Sequence, residues 1–160
     1  MPDPYVTEAE FDTTFDRDWL PVFRFALAWT NDWASAEDLT QDAFLKLWAK
    51  RTELDWSKPL LPWLLTATRH LATDRFRRVR TTFRAPARGD AGRGLVDSDA
   101  RVRWMDLRPR LAALSPTQRS ALVLTTVVGL SPEQAAKTLG TSAGAVRAAV
   151  SRARANLAEA

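Results

Sequence analysis

Between Arg69 and Arg84 six of sixteen residues are arginine (69, 75, 77, 78, 80 and 84), and Asp74 is the one acid among them. Guanidinium groups at that density repel one another unless a polyanion neutralises them, and their planar fork matches phosphate oxygens and guanine edges. Trp63, Phe76 and Phe83 lie beside the run, a mixture suited to holding a strand by its phosphates while bases stack or are flipped. A solvated helix face over an aromatic core uses the same residues, and Trp63 and Phe76 fit that core role better than a stacking role. His70 is a lone imidazole in this run. A polar contact suits it better than catalysis, and a base contact is open to it.

A second basic set follows near the carboxyl end. A short helix from Pro132 ends at Leu139-Gly140, and Thr141-Ser142 can cap the next one. A three-residue turn containing Gly between two helices is the helix-turn-helix signature. In the second of these helices Val146, Val150, Ala153 and Leu157 share one face and should pack on Ala135, Ala136 and Leu139. Arg147, Ala148, Ser151, Arg152 and Arg154 occupy the opposite face, and a 15-residue helix of about 22 Å fits a major groove. Plain packing of two helices with a basic surface is the alternative.

The rest of the composition excludes most enzymes. One His and no Cys among 160 residues leave no thiol nucleophile, no disulfide framework and no paired histidines for a zinc or transition-metal site. No Walker loop, Rossmann glycines or tight carboxylate cluster accompanies the basic half. No cofactor, no metal and no catalytic residue is therefore expected. The first residues lack a basic and apolar leader, and no run approaches the ~18 apolar residues of a membrane span. The expectation is a cytoplasmic protein without membrane insertion.

Charge is divided unevenly along the chain. Residues 1–60 carry 6 basic and 12 acidic groups, 61–110 carry 12 and 5, and 111–160 carry 5 and 2; 19 of the 23 basic residues are arginine. An acidic front is thus joined to a basic middle and end.

Apolar spacing is helical nearly throughout, so the elements that must position these residues are all α-helical. Thr7 and Glu10 form a capping box before Phe11, Phe15, Trp19, Val22, Ala26, Trp29 and Trp33, and Pro21 should kink or split that helix. Ser35 with Asp38 predicts the cap of a second helix with Leu39, Ala43, Phe44, Leu47 and Trp48 inward. Residues 51–58 read as a loop, and a third helix is predicted from about 60 to 80 with Trp63, Leu64, Ala67, Leu71 and Phe76 inward. Residues 84–102 have linker composition, separating a domain at 5–83 from one at 103–160. Six of the seven Trp precede residue 64, which predicts two small helical domains with separately composed cores. Ser115-Pro116-Thr117-Gln118 and Ser131-Pro132-Glu133-Gln134 each read as a helix start. Helices are predicted at about 103–114, 116–129, 132–139 and 143–157. A unit of roughly 55 residues is near the lower limit for independent stability, so it should lean on a partner or on the first domain.

Ala36-Glu37-Asp38-Leu39-Thr40-Gln41-Asp42-Ala43-Phe44-Leu45-Lys46-Leu47-Trp48 resembles the region 2 helix of bacterial RNA polymerase sigma factors of the extracytoplasmic-function (ECF) group. Residues 63–78, from Trp63-Leu64 through Arg69-His70 and Asp74 to Arg77-Arg78, resemble that family's Trp-Leu-x-x-Ile-Ala-Arg-Asn-x-x-x-Asp-x-x-Arg-Arg helix. Residues 114–157 are similar to its region 4. The three motifs occur in the family's order across most of the chain.

The resemblance implies an alternative sigma factor, not an enzyme, that binds core RNA polymerase, directs it to promoters and helps open the duplex. It implies docking on the β′ clamp helices through Asp38, Gln41, Asp42 and Lys46, and a region 4 contact with the β flap. It implies minus-ten contacts from Arg69, His70, Asp74, Arg75, Arg77 and Arg78, with the loop at 52–58 helping to capture unstacked bases. It implies minus-thirty-five contacts from Arg147, Ala148, Ser151, Arg152 and Arg154, and an anti-sigma factor as a further partner. His70 stands where the family has Asn and Thr68 where it prefers Ala; Ala145, Ala148 and Ala149 replace Thr, Ser and Arg. Fewer hydrogen-bonding groups imply weaker or altered readout. A linker of about 19 residues reaches about 60–65 Å against about 70 Å for two duplex turns, and the domains can cover the remainder. The competing reading is a stand-alone helix-turn-helix transcription regulator whose first domain senses a ligand or dimerises. An exposed acidic helix at residues 37–46 favours polymerase docking, a buried one favours the regulator.

Overall fold

The computed structural model describes residues 6–81 and 97–159, without the side chains of 79–81. The bulk of the expected linker, with Phe83 and Arg84, and the Arg80 side chain lie outside the described residues. Those described form seven α-helices, a 3-10 turn and no strand: α1 (Glu8–Thr30), α2 (Trp33–Ala49), the turn Arg51–Glu53, α3 (Leu61–Thr81), α4 (Ser98–Leu111), α5 (Pro116–Thr126), α6 (Pro132–Leu139) and α7 (Ala143–Glu159).

Local chemistry explains where most of these helices begin. Thr7 and Glu10 close a reciprocal capping box at α1, and the Ser115/Gln118 and Ser131/Gln134 pairs do the same at α5 and α6, each followed by Pro at the first helical position. That arrangement satisfies amide groups which the helix leaves without partners. Gly140 ends α6 in the left-handed conformation (φ 67°), and the Ser142 hydroxyl accepts the Ala145 amide at 3.1 Å to open α7. The three-residue turn of the helix-turn-helix is thereby fixed by one residue that tolerates positive φ and one that caps.

Several boundaries differ from the sequence expectation, and α4 and α5 each end about three residues early, at Leu111 and Thr126. Helix α1 runs through Pro21 as one element, because Pro21 removes a single ladder bond while Val22, Phe23, Phe25 and Ala26 immediately after it are buried against neighbouring helices. The α2 cap is Asp32, whose carboxylate accepts from the Ser35 amide at 3.0 Å and the Ser35 hydroxyl at 2.6 Å. Starting there moves Trp33, expected on the first helix, into the first turn of α2, where it is buried. Helix α4 begins at Ser98 behind an Asp97 cap, so residues 98–102 are helical instead of linker.

The larger difference concerns the core. Val22, Phe25, Phe44, Leu47, Leu60, Leu64 and Leu65 from the first half form one buried cluster with Ala121, Leu124, Ala135, Ala136, Val146 and Ala149 from the second. Bulky residues on α1–α3 meet alanines on α5–α7, and the small side chains let the helices approach closely. The second half is too small to bury a core of its own, and it completes that core on the first half. A second cluster around Phe23, Trp33, Leu39 and Ala72 takes Trp104 of α4 against it, with Trp33 and Trp104 ring centroids 5.6 Å apart. Phe76 does not join either cluster: it lies one turn past Ala72 and is 63% exposed, so the expected inward position is corrected. Trp63 is half-buried against the first cluster.

Leu124 is fully buried in the shared cluster. Leu124→Ala is expected to lower unfolding free energy by about 2–5 kcal/mol, the range for a buried leucine whose cavity only partly collapses. Urea denaturation checks it, and a change below about 1 kcal/mol would contradict the shared packing.

Candidate polymerase and nucleic-acid interfaces

Asp38, Gln41, Asp42 and Lys46 fall at i, i+3, i+4 and i+8 on α2 and therefore line one helix face. Gln41 is exposed, and Asp38, Asp42 and Lys46 are partly exposed. The face is open, as polymerase docking requires and a buried dimer or ligand domain does not. An unforeseen cation belongs to it: Arg75 of α3 bonds the Asp42 carboxylate through Nη2 and comes within 4.0 Å of Asp38. Arg75, grouped by sequence with the minus-ten arginines, is thus tied to the acidic face.

The remaining α3 residues divide in two. His70, Asp74, Arg77 and Arg78 are exposed. Arg69 is half-buried, and its Nη2 lies 3.1 Å from His70 Nε2. Its guanidinium rests on the turn of the helix-turn-helix, 3.3 Å from where a Cβ on Gly140 would stand. Glycine at 140 therefore serves twice, for its positive φ and for this close approach.

Beside α3 the 52–58 loop is held by its own hydrogen bonds. The Asp55 carboxylate accepts from the Ser57 hydroxyl at 2.5 Å and its amide at 3.0 Å, which keep the Asp55 carboxyl below the ordinary aspartate range. Trp56 Nε1 donates to the Arg51 carbonyl at 2.8 Å, and the Arg51 guanidinium sits 4.1 Å over the Trp48 ring. The loop and α1 enclose a cleft of about 360 Å³ lined by Thr13, Arg17, Trp56, Ser57 and Lys58 among others. Arg17 is too far away in sequence for spacing to have associated it with the loop.

On α7, Arg147, Ser151, Arg152 and Arg154 are exposed along one face, with Ala148 half-buried at its edge. The inward face holds Val146 and Ala153, and Val150 packs partly buried against the shared cluster. Arg147 Nη2 donates to Glu133 at 2.6 Å across the turn. The Glu133 carboxyl is held below its ordinary range, first by its own backbone amide in the opening turn of α6 and then by Arg147. Among the described residues no cluster of His, Cys, Asp and Glu could hold a metal ion, and no helix is long and apolar enough to cross a membrane.

Residues 19–82 match sigma-70 region 2 and residues 105–157 match sigma-70 region 4. The chain is 37% identical over 137 residues to the ECF RNA polymerase sigma factor SigC of Mycobacterium tuberculosis, covering 83% of this chain and 73% of that protein. This chain belongs to the ECF sigma factors. It is also 34% identical over 135 residues to the RNA polymerase sigma factor CnrH of Cupriavidus metallidurans, covering 76% of this chain and 70% of CnrH. Among solved structures it resembles the sigma factor RpoE of Bartonella quintana, crystallised with the anti-sigma factor NepR (TM-score 0.72, 30% identity, 93% of this chain and 94% of that one). CnrH in complex with the cytosolic domain of CnrY gives a TM-score of 0.70 at 25% identity, covering 96% and 88%.

Within this sigma factor the departures from the family pattern have local reasons. Ala149, in place of Arg, is 7% exposed in the cluster shared by the two halves, where an arginine would lose its hydration. Thr68, in place of Ala, is fully buried and returns its hydroxyl to the Leu64 carbonyl at 2.7 Å. Nothing in the structure explains Ala145.

One polar residue of the sigma factor had no signal in the sequence. Arg119 of α5 is 7% exposed. Its Nε donates to the Ala28 carbonyl at 2.6 Å and Nη2 to Trp29 at 3.2 Å, both in the last turn of α1; Nη1 donates to the carbonyls of Leu111 and Leu114. Burial pulls its pKa below the ordinary guanidinium value.

Proposed function

We propose that this chain is an alternative sigma factor that docks on core RNA polymerase through the open face of α2 and reads promoter DNA with α3 and α7. The observation that carries the reading is the pairing of regions 2 and 4, in family order, with an open acidic helix in one and an exposed arginine face on a helix-turn-helix in the other. An acidic face steers toward a basic partner surface and away from DNA phosphates. Asp38, Gln41, Asp42 and Lys46 meet the β′ clamp helices, and region 4 meets the β flap. His70, Asp74, Arg77 and Arg78 engage the minus-ten element, joined by Arg69 once it leaves the turn at Gly140, while Arg75 acts from the acidic face. Arg147, Ala148, Ser151, Arg152 and Arg154 face the minus-thirty-five element. The protein works in the cytoplasm, where its polymerase is. A binding partner of the anti-sigma class, such as the NepR crystallised with RpoE, controls it.

Mixing the purified chain with core RNA polymerase of its own organism and separating by size tests the reading. Co-elution and promoter-dependent transcription by the reconstituted holoenzyme are expected. A folded chain that fails to co-elute would instead be a stand-alone DNA-binding regulator.

A further inference from the structure

The cleft between α1 and the 52–58 loop has a wall that the promoter contacts on α3 do not use. Its lining comes from the amino-terminal half of α1 and from residues 56–60, and none of His70, Asp74, Arg77 and Arg78 belongs to it. At about 360 Å³ it lies at the small end of the range for ligand clefts.

The α1 wall is organised by a buried carboxylate. Asp18 is 3% exposed, and its two oxygens accept Arg17 Nε at 3.1 Å and Nη2 at 3.2 Å. Burying a carboxylate carries a desolvation cost that a pair with a largely exposed arginine offsets only in part. The pair is therefore poorly explained by stability. What it achieves is orientation: a guanidinium carries its N–H donors in a fixed fork, Asp18 holds one edge of that fork, and the remaining donors are left on the cleft wall that Arg17 lines.

The loop supplies the complementary chemistry. Trp56 lines the cleft, and its Nε1 bond to the Arg51 carbonyl fixes the indole in place. Buried Leu60 makes part of the lining apolar, and the exposed Lys58 ammonium adds a second cation, 3.9 Å from Asp55. Glu10, the acid of the lining, is engaged by the Thr7 amide and hydroxyl at 2.9 and 3.1 Å. A fixed aromatic plane beside an oriented guanidinium and an ammonium suits a nucleotide, whose base stacks whatever its identity while its phosphate meets the cations. An acidic peptide would leave the indole unused, and an apolar one would leave the Arg17 donors unused.

We propose that this cleft holds one nucleotide of a single DNA strand, with its base stacked on Trp56 and its phosphate bonded by the Arg17 fork that Asp18 orients. That the strand is the opened promoter rests on the function proposed above; the fit of the cleft to a nucleotide does not. An opened strand is then gripped by α1 as well as by α3, which lengthens the single-stranded segment that this chain can hold.

Photo-cross-linking of the full chain tests the cleft without polymerase. The probe is a strand of about 12 5-iododeoxyuridine nucleotides, within the usual site size for single-strand binding. Light joins its bases to aromatic rings on which they stack, and peptide mass spectrometry locates the bond. Trp56 is expected to be the principal cross-linked residue. Thr13→Phe, which fills the cleft from an exposed position, should lower that yield at least about fivefold, the smaller end of the range for losing one stacked base. Arg17→Ala, also at an exposed position, should lower it as much. Arg17→Lys should do the same, because an ammonium keeps the charge and loses the fork. No cross-link at Trp56, or one that Thr13→Phe leaves unchanged in a chain with wild-type circular dichroism, overturns the site. Full yield in Arg17→Lys overturns the oriented contact. Thymidine 5′-monophosphate that suppresses the cross-link as well as unmodified oligothymidylate does would make this a site for free nucleotides and overturn the strand assignment.

In the holoenzyme, 5-iododeoxyuridine is placed at one position at a time along a strand of a promoter duplex that the holoenzyme selects. One position is expected to cross-link to Trp56 and others to α3. Cross-links to α3 without any to Trp56 overturn the part of the cleft in holding the promoter and leave the sigma function intact. Failure of the chain to co-elute with polymerase refutes the sigma function, and the cross-link in the free chain still decides whether the cleft holds a nucleotide.

Discussion

Asp38→Lys combined with Asp42→Lys is expected to abolish co-elution with core RNA polymerase, an affinity loss of at least about 100-fold, while the protein stays folded. Like charges brought together across an interface cost several kcal/mol, and two reversals act on one helix face. Arg75 complicates the interpretation, because it bonds Asp42 and approaches Asp38. Reversal places lysines against this arginine and disturbs the α2–α3 contact as well as the docking face. Arg75→Ala separates the two effects. The three side chains are about one-third exposed, so the pair contributes at most about 1 kcal/mol to stability. Arg75→Ala should therefore retain polymerase binding within about threefold. Loss of binding in both variants would make the bridge to α3, and not the carboxylates, the requirement. Retention in the double reversal would remove α2 from the docking assignment.

What the sequence disclosed about the fold depended on how far apart the interacting residues are. The caps at Thr7, Ser115 and Ser131 and the Gly140 turn were legible because each is complete within four residues. The Asp32 cap was hidden by competition: Asp32 and Ser35 are both good caps, and burial of Trp33 decides between them through tertiary packing. Pro21 likewise looked disruptive until the burial of the residues after it is counted. Composition misled about the core. Tryptophan is concentrated in the first half, which suggested separate cores, whereas the complementary surface in the second half is built, around Leu124 and Val146, from Ala121, Ala135, Ala136 and Ala149, residues with little compositional signal.

The site shows the same division. The exposed arginine face of α7 follows from helical periodicity alone, and the structure exposes Arg147, Ser151, Arg152 and Arg154 together. The basic run on α3 is less uniform than its spacing implied. Arg75 turns to carboxylates 33 and 37 positions earlier and Arg69 to a turn 71 positions later, contacts that no local pattern encodes. Arg119 is the extreme case. In the sequence it is one arginine in Pro116-Thr117-Gln118-Arg119-Ser120, and only the folded chain shows four carbonyls converging on it.

Arg147→Ala and Arg152→Ala are expected to weaken binding to a promoter duplex selected by the holoenzyme. A bidentate arginine–guanine contact is worth about 1–3 kcal/mol, or about 5- to 150-fold. A phosphate contact instead reduces affinity for all sequences and flattens the log-log salt slope by about one unit. Measuring each variant on matched and mismatched duplexes over a salt series therefore tells base reading from phosphate holding. Glu133 sharpens the assignment for Arg147, because their 2.6 Å pair aims the guanidinium across the mouth of the helix-turn-helix. The Glu133 carboxyl lies below its ordinary range, so its contribution is present above the unfolded-state value of about 4.3 and is lost as pH falls through the lower folded-state value. The carboxylate is therefore ionised at neutral pH and can hold Arg147 in position. Glu133→Gln should then lose discrimination at the base that Arg147 reads, with the salt slope preserved, since the arginine remains but is no longer aimed. Salt slopes and discrimination equal to wild type in both arginine variants would mean that this face of α7 does not meet DNA.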